Sequence, residues 1–276
     1  AVLQATPITS WQLAAGKLIG SWLASLSFIV IAAPYLIWGL FSPAQPVAGG
    51  LLSIAVTALL LLAYCAVGLG ISALTPRPAA SAVGTQAVVL MLLIGLPAIF
   101  GLLLPSVEEE HRVPGTHYDY PAGTSWEDPE AQPVCQDVMD TRTYQHTEHT
   151  WWLLAPNPLL IVADTATTGF DDHRRTGRPG VFETATMLAF ARSGPFMAGT
   201  SCADWASRYS SVDDEQLYAD FEQRSAARKA HEHRYIGDSW YYGLAFTLLL
   251  GAAGFLIAGL RLRVPAGKLP RGVRIA

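Results

Sequence analysis

All seven histidines of this 276-residue chain lie between His111 and His233, and two groups of them bear the side chains that bind transition metals. These are His146-Thr147-Glu148-His149 and His231-Glu232-His233. Imidazoles three residues apart share one face of a helix, a spacing that suits zinc. Neither group comes with a third spaced ligand, however, and His-x-x-His is not the H-E-x-x-H of a zinc protease. Both are therefore expected to be solvated or structural histidines, and no metal site is expected. Asp171-Asp172-His173-Arg174-Arg175 has the composition of a charged turn. Ser201, beside Cys202, lacks the G-x-S-x-G elbow that would expose a nucleophile. No G-x-x-x-x-G-K-[ST] phosphate loop occurs, and Gly16-Lys17-Leu18 has neither the upstream glycine spacing nor the hydroxyl that would reach Mg²⁺. With no nucleophile–base pair, no catalytic residue and no directly bound cofactor, the chain is not expected to be an enzyme.

Charge determines which elements carry these residues. All 22 acidic residues lie between Glu108 and Asp238, and residues 18–76, 78–107 and 239–260 hold no charged side chain. A bilayer core takes about 20 apolar helical residues to cross. The first uncharged stretch is long enough for two crossings, broken at Ser42-Pro43-Ala44-Gln45-Pro46-Val47-Ala48-Gly49-Gly50 by two prolines and a glycine pair. In lipid a backbone must satisfy its own hydrogen bonds, so the crossings should be helical. The expected fold is an all-α polytopic membrane protein with three spans within 18–105 (18–41, 51–74 and 84–104). A large mixed or irregular extracytoplasmic segment follows over 106–238, then a fourth span over 239–260 and a basic tail over 261–276.

Four spans put both termini on one side, with Lys17, Arg77, Arg261, Arg263, Lys268, Arg271 and Arg274, while the connection 42–50 has no base. Basic flanks stay in the cytoplasm, so N- and C-termini are expected to be cytoplasmic and the protein multi-pass in the plasma membrane. The segment 107–237 is then outside, with a local charge of −10. Cys65 is alone in the second span, whereas Cys135 and Cys202 both fall outside. An oxidising exterior would join them; the alternative is two unpaired thiols. A bridge would close a loop of about 67 residues, worth about 4 kcal/mol in the chain-entropy model. The chain begins at Ala1, no cleavable signal peptide precedes the first span, and it reads as a fragment or a processed form.

A connection of this length needs structure or function of its own. Its first part, 108–148, is polar and poor in aliphatic residues, which predicts loop. Trp151 to Ala163 is apolar but too short and too broken by Pro156 and Pro158 to cross. It predicts an interfacial or re-entrant helix around Trp151, Trp152, Pro156, Asn157 and Pro158. Residues 211–234 read as a charged helix, acidic toward its start and basic toward its end, which complements the helix dipole.

Ahead of the first span, Ala5-Thr6-Pro7-Ile8-Thr9-Ser10-Trp11-Gln12-Leu13 predicts a short cytoplasmic helix capped by Thr9 or Ser10, or a simple amphipathic lead-in. Residues Leu3 to Leu18 as a whole resemble the cytoplasmic loop of type-2 ABC exporter permeases, which place a Thr-Pro-polar-polar … Gly-Lys-Leu segment just before their third membrane helix. Residues Leu260 to Pro265 with Lys268 to Ala276, and Ala155 to Leu160 with Ala163-Asp164, are similar to actinobacterial members. The resemblance implies that the four spans are the last four of six. It implies that residues 1–17 form a coupling segment in which Thr6, Pro7, Ile8, Trp11, Gly16 and Lys17 meet a cytoplasmic ABC ATPase. ATP and Mg²⁺ would act through that subunit, and a second permease copy or homologue would complete the path.

The expected function is therefore the permease subunit of an ATP-driven exporter. The spans hold no ionisable residue for a proton relay or ion site, which favours a hydrophobic or amphipathic substrate. The alternative is a membrane-anchored extracytoplasmic binding or sensor module without transport. No nucleic-acid partner is expected. The small residues Gly16, Gly20, Ser21, Ala24 and Ser27 of the first span, and Gly68, Gly70, Ser72 and Ala73 of the second, either permit close helix approach or are the small residues usual in membrane helices.

Overall fold

The computed structural model describes residues 9–41, 47–119, 134–169, 181–202 and 225–262. Among these residues, four helices are long and apolar enough to cross a membrane. The first, α1 (Ser10–Leu40), opens with a capping box: Gln12 N donates to Thr9 Oγ1 at 3.3 Å and Thr9 N donates to Gln12 Oε1 at 3.0 Å. Two amide groups that the first turn would leave free are thereby satisfied. Here the structure departs from the expected short helix followed by a separate span beginning at residue 18. α1 is continuous, so Trp11, Gly16 and Lys17 belong to the span helix itself. Gly16 is the only weak helix former between Leu13 and Leu18, and one glycine costs about 1 kcal/mol relative to alanine, too little to stop a nucleated helix.

Helix α2 (Val47–Leu74) begins four residues before the expected position and takes in Gly49-Gly50 from the expected break, since Pro43 and Pro46 both precede its first residue. The third span, α3 (Pro78–Val107), begins six residues before the expected position because Pro78 stands at its first turn, where the missing N–H costs nothing. It is α-helical over Pro78–Leu90, widens to a π turn at Met91–Gly95, and resumes over Leu96–Leu103. A 3₁₀ turn, Leu104–Val107, closes it. Next come strands β1 (Glu108–Asp119) and β2 (Val134–Gln145), short helices α4 (Pro158–Ala166) and α5 (Val181–Ser193), and the last span, α6 (Trp240–Arg261).

The chain forms two compact units. In the first (Ala1–Ile99, Trp152–Leu188 and Ile236–Ala276), α2 is central and packs against α6, α1, α4 and α3. Buried residues on α6 include Gly243, Thr247, Gly251, Gly254 and Ala258, a spacing of three and four that draws one stripe along the helix. This stripe lies on α2 at backbone contact. A Cβ on Gly70 would sit 2.6 Å from Gly254 Cα, and one on Gly251 would sit 2.8 Å from Ala63 Cα. In lipid, where no hydrophobic drive brings helices together, such approach supplies the dispersion contact that holds them. Val56, Leu60, Ile161 and Leu244 fill the junction of α2, α4 and α6. α1 joins α2 through Trp22 Nε1, which donates to Ala58 O at 2.9 Å.

The second unit (Phe100–Trp151 and Ala189–Tyr235) corrects the expectation of loop over 108–148: the described chain is mostly helical, as expected, but a small two-stranded sheet lies in this mixed segment. β1 and β2 form an antiparallel two-stranded sheet with Glu108 opposite Gln145 and Asp119 opposite Val134. Val113, Thr116, Tyr118, Val138, Thr141, Thr143 and Tyr144 have the branched and aromatic side chains that favour a pleated chain. Only one face of β1 is covered, at His111, Val113 and Gly115, so a strand pattern based on alternating aliphatics does not appear. Cys135 of β2 is disulfide-bonded to Cys202, and Cys202 N donates to Asp137 Oδ1 at 2.7 Å. Residues 225–232 are helical; the remainder of the charged helix expected from residue 211 lies outside the described residues.

Candidate functional site: a polar latch among helices and a histidine–carboxylate cluster

The apolar segment after Trp151 is organised by Asn157. Its backbone is extended and its Oδ1 accepts from Leu159 N at 2.9 Å and Leu160 N at 3.4 Å, while Pro158 takes the first helical position. This is the residue pair expected at a helix start. Its Nδ2 donates to Leu93 O at 3.0 Å, inside the π turn of α3. A π turn widens the helix backbone, and the amide of Asn157 reaches a carbonyl within it. Pro156 and Asn157 are buried, Trp152 is exposed, and α4 lies against α2 and α6. Glycines permit this approach: a Cβ on Gly243 would strike Ala155 O, and one on Gly49 would strike Ala166 O.

Asp164, fully buried on α4, closes the other end of the arrangement. Gly237 N donates to its Oδ1 at 2.8 Å and Ser239 N to its Oδ2 at 2.9 Å, so one carboxylate gathers the amides at the start of α6. Burial raises this carboxyl above its ordinary value; the N–H groups of Gly237, Ser239 and Trp240 pull it back, and Asp238 adds a smaller upward push. Desolvation disfavours the charged form and hydrogen bonds to the anion favour it. Sequence reasoning named Ala163-Asp164 only as part of a resemblance. An acid set in an otherwise apolar run was the signal that it is held by donors, because an unpaired charge there would be prohibitive.

Of the residues expected to couple to an ATPase, Thr6, Pro7 and Ile8 lie outside the described residues. Trp11 turns inward: its ring sits 5.8 Å from that of Phe255 on α6, and a Cβ on Gly259 would overlap it. Gly16 and Lys17 face outward, and a Cβ on Gly16 would meet nothing within 4 Å. The structure thus separates the three described candidates into an anchor, Trp11, and an exposed pair, Gly16 and Lys17.

In the second unit, Trp151 lies under Arg192, whose guanidinium carbon is 5.0 Å from the indole centroid and 4.2 Å from that of Tyr235. A cleft of about 560 Å³ opens between Tyr144, Phe190, Phe196 and the Arg228–Glu232 ion pair. His146 acquires further polar partners, Glu109 and His111 from β1 as well as Glu148 of its own tetrapeptide. Its Nε2 is 2.9 Å from His111 Nε2 and 4.0 Å from Glu109 Oε2, and its Nδ1 is 2.7 Å from Glu148 Oε1. Glu109 and His111 share one face of β1, and His146 N donates to Val107 O at 2.8 Å, which places it beside that strand. His149 lies at 6.0 Å centroid distance from His146. His231, from the other expected cluster, meets Gly194 O at 3.3 Å and the Phe196 ring. No local spacing could show His111 joining His146, because the strand register brings it there across 35 residues.

A family model described as ABC-2 family transporter protein matches residues 1–170 of the chain. No curated protein and no solved structure matches it significantly.

Proposed function

The chain belongs to the ABC-2 transporter family, and from that premise we propose that it is the membrane-spanning permease subunit of an ATP-driven exporter that moves a hydrophobic or amphipathic substrate. The family match, over a chain with four apolar helices, carries this reading. ATP hydrolysis belongs to a separate cytoplasmic subunit, with Mg²⁺ bound there, and a second permease copy or homologue completes the path. The protein lies in the plasma membrane with both termini in the cytoplasm and residues 106–238 outside.

The N-terminal end of α1 supports a mechanical role. A push on the exposed side of its first turns is passed by Trp11 to Phe255 and Gly259 at the end of α6. From there α6 carries it along the glycine seam to α2, because packed helices move as rigid elements rather than deforming. Substrate would pass between apolar faces, since α1 and α3 present large exposed side chains such as Phe28, Trp38 and Leu102 to lipid or to a partner permease.

The test is copurification from membranes followed by ATP hydrolysis in lipid, with intact protein compared to Pro7→Ala and Lys17→Ala. The reading expects an associated ATPase whose turnover falls several-fold in the variants while membrane insertion is unchanged. Absence of any bound ATPase, with the Cys135–Cys202 link still formed, would overturn it in favour of a membrane-anchored binding or sensor module.

A further inference from the structure

We propose that Glu109, His111 and His146 bind a divalent transition-metal ion, zinc by its chemistry, with Glu148 as the residue that orients His146. The three ligand atoms form a triangle. His111 Nε2 and His146 Nε2 are 2.9 Å apart, and Glu109 Oε2 is 3.7 Å from the first and 4.0 Å from the second. A triangle with those edges has a circumradius of about 2.1 Å, which is the bond length of zinc to imidazole nitrogen or carboxylate oxygen. One point is therefore within bonding distance of all three without any backbone movement.

The protonation pattern serves the same end. Glu148 Oε1, 2.7 Å from His146 Nδ1, accepts the N–H at that position and leaves the Nε2 lone pair facing the triangle. A carboxylate behind a ligating histidine fixes its tautomer and ring orientation and raises its basicity. Glu148 is itself enclosed: its carboxylate packs on Gly194, whose φ of +69° and lack of a Cβ leave the space. His146 is nine-tenths buried whereas Glu109 is largely exposed, so water from the Glu109 side completes the coordination. Two imidazoles and one carboxylate suit zinc, whose geometry tolerates three protein ligands and one water.

His146, Glu148 and His149 make a second possible set. It would place the ion on His146 Nδ1 and displace the hydrogen bond to Glu148, and it uses the exposed His149. The hydrogen bond argues for the first set.

The full chain, purified in detergent and stripped of metal, is titrated with Co²⁺ as a spectroscopic probe and then with competing Zn²⁺. One equivalent of Co²⁺ should bind with the intense visible bands of a four-coordinate site and be displaced by Zn²⁺. His111→Ala and His146→Ala should each weaken binding by roughly a hundredfold, Glu148→Gln by about tenfold or more, and His149→Ala not at all. Glu109→Gln, at an exposed position that no fold contact needs, gives the reading should a histidine variant fail to form the Cys135–Cys202 link; it should weaken binding about tenfold. Absence of saturable binding by the unaltered chain overturns the proposal. So does a loss confined to His149→Ala with His111→Ala unaffected.

Discussion

The two units hold their chains by opposite means. Along the seam of α2 and α6 the backbones meet because atoms are absent, at Gly70, Gly251 and Gly254, and adding a methyl group there is the damaging change. Around the sheet β1–β2 most side chains of β2 are exposed, and cohesion comes from groups that are present: a disulfide, backbone ladders and the stacking of Arg192 on two rings. Shape carries the first unit because lipid offers no hydrophobic reward for joining helices. Cross-links and polar contacts carry the second, where few of the described apolar side chains are buried.

That contrast is most sharply tested at the disulfide. Cys135→Ser should cost about 4 kcal/mol in the chain-entropy account of a loop this long, with limited proteolysis cutting within 108–151 or 194–235 while the spans stay protected. Cleavage spreading evenly into the spans would show that the two regions do not stand by different means. Next in size, Gly254→Val inserts branched carbon into a seam with no space and should cost about 3 kcal/mol, read as a lower unfolding temperature in detergent; unchanged melting would mean that the seam is looser than drawn.

Asp164 gives a smaller and pH-dependent effect. Asp164→Asn turns an amide donor toward donated N–H groups and should cost about 2 kcal/mol. Because burial raises the native carboxyl above its unfolded value, the native state takes up the proton first. Its contribution to stability is therefore complete below the ordinary carboxylate range and declines as pH rises through the raised native value. Melting temperature followed against pH should show that decline in the parent and not in Asp164→Asn; parallel curves would remove Asp164 from the account. The smallest change is expected at Gly20, where a Cβ meets nothing within 4 Å. Gly20→Ala should stabilise by about 1 kcal/mol through helix propensity alone. A marked loss in native membranes instead would show that a partner's backbone lies on that face.

The spans were legible because lipid penalises charge so heavily that its absence over 18–76, 78–107 and 239–260 has one cheap explanation. Their beginnings were not, since a helix extends past the bilayer wherever caps and good formers allow, as Thr9, Gln12 and Pro78 do. Asn157-Pro158 could be read as a helix start, but its second bond to Leu93 depends on a π turn that no residue pattern announces. The sheet escaped because its strands bury one short face, and the His111–His146 contact escaped because it is made by strand register rather than by spacing.

The π turn at Met91–Gly95 also changes what α3 presents along its length. One residue more per turn rotates everything beyond it by about 100° relative to an unbroken helix. Side chains that would have continued the stripe of Pro78–Leu90 therefore point a quarter-turn aside over Leu96–Leu103. A single rod thus addresses two different directions, and the amide of Asn157 sits where the direction changes.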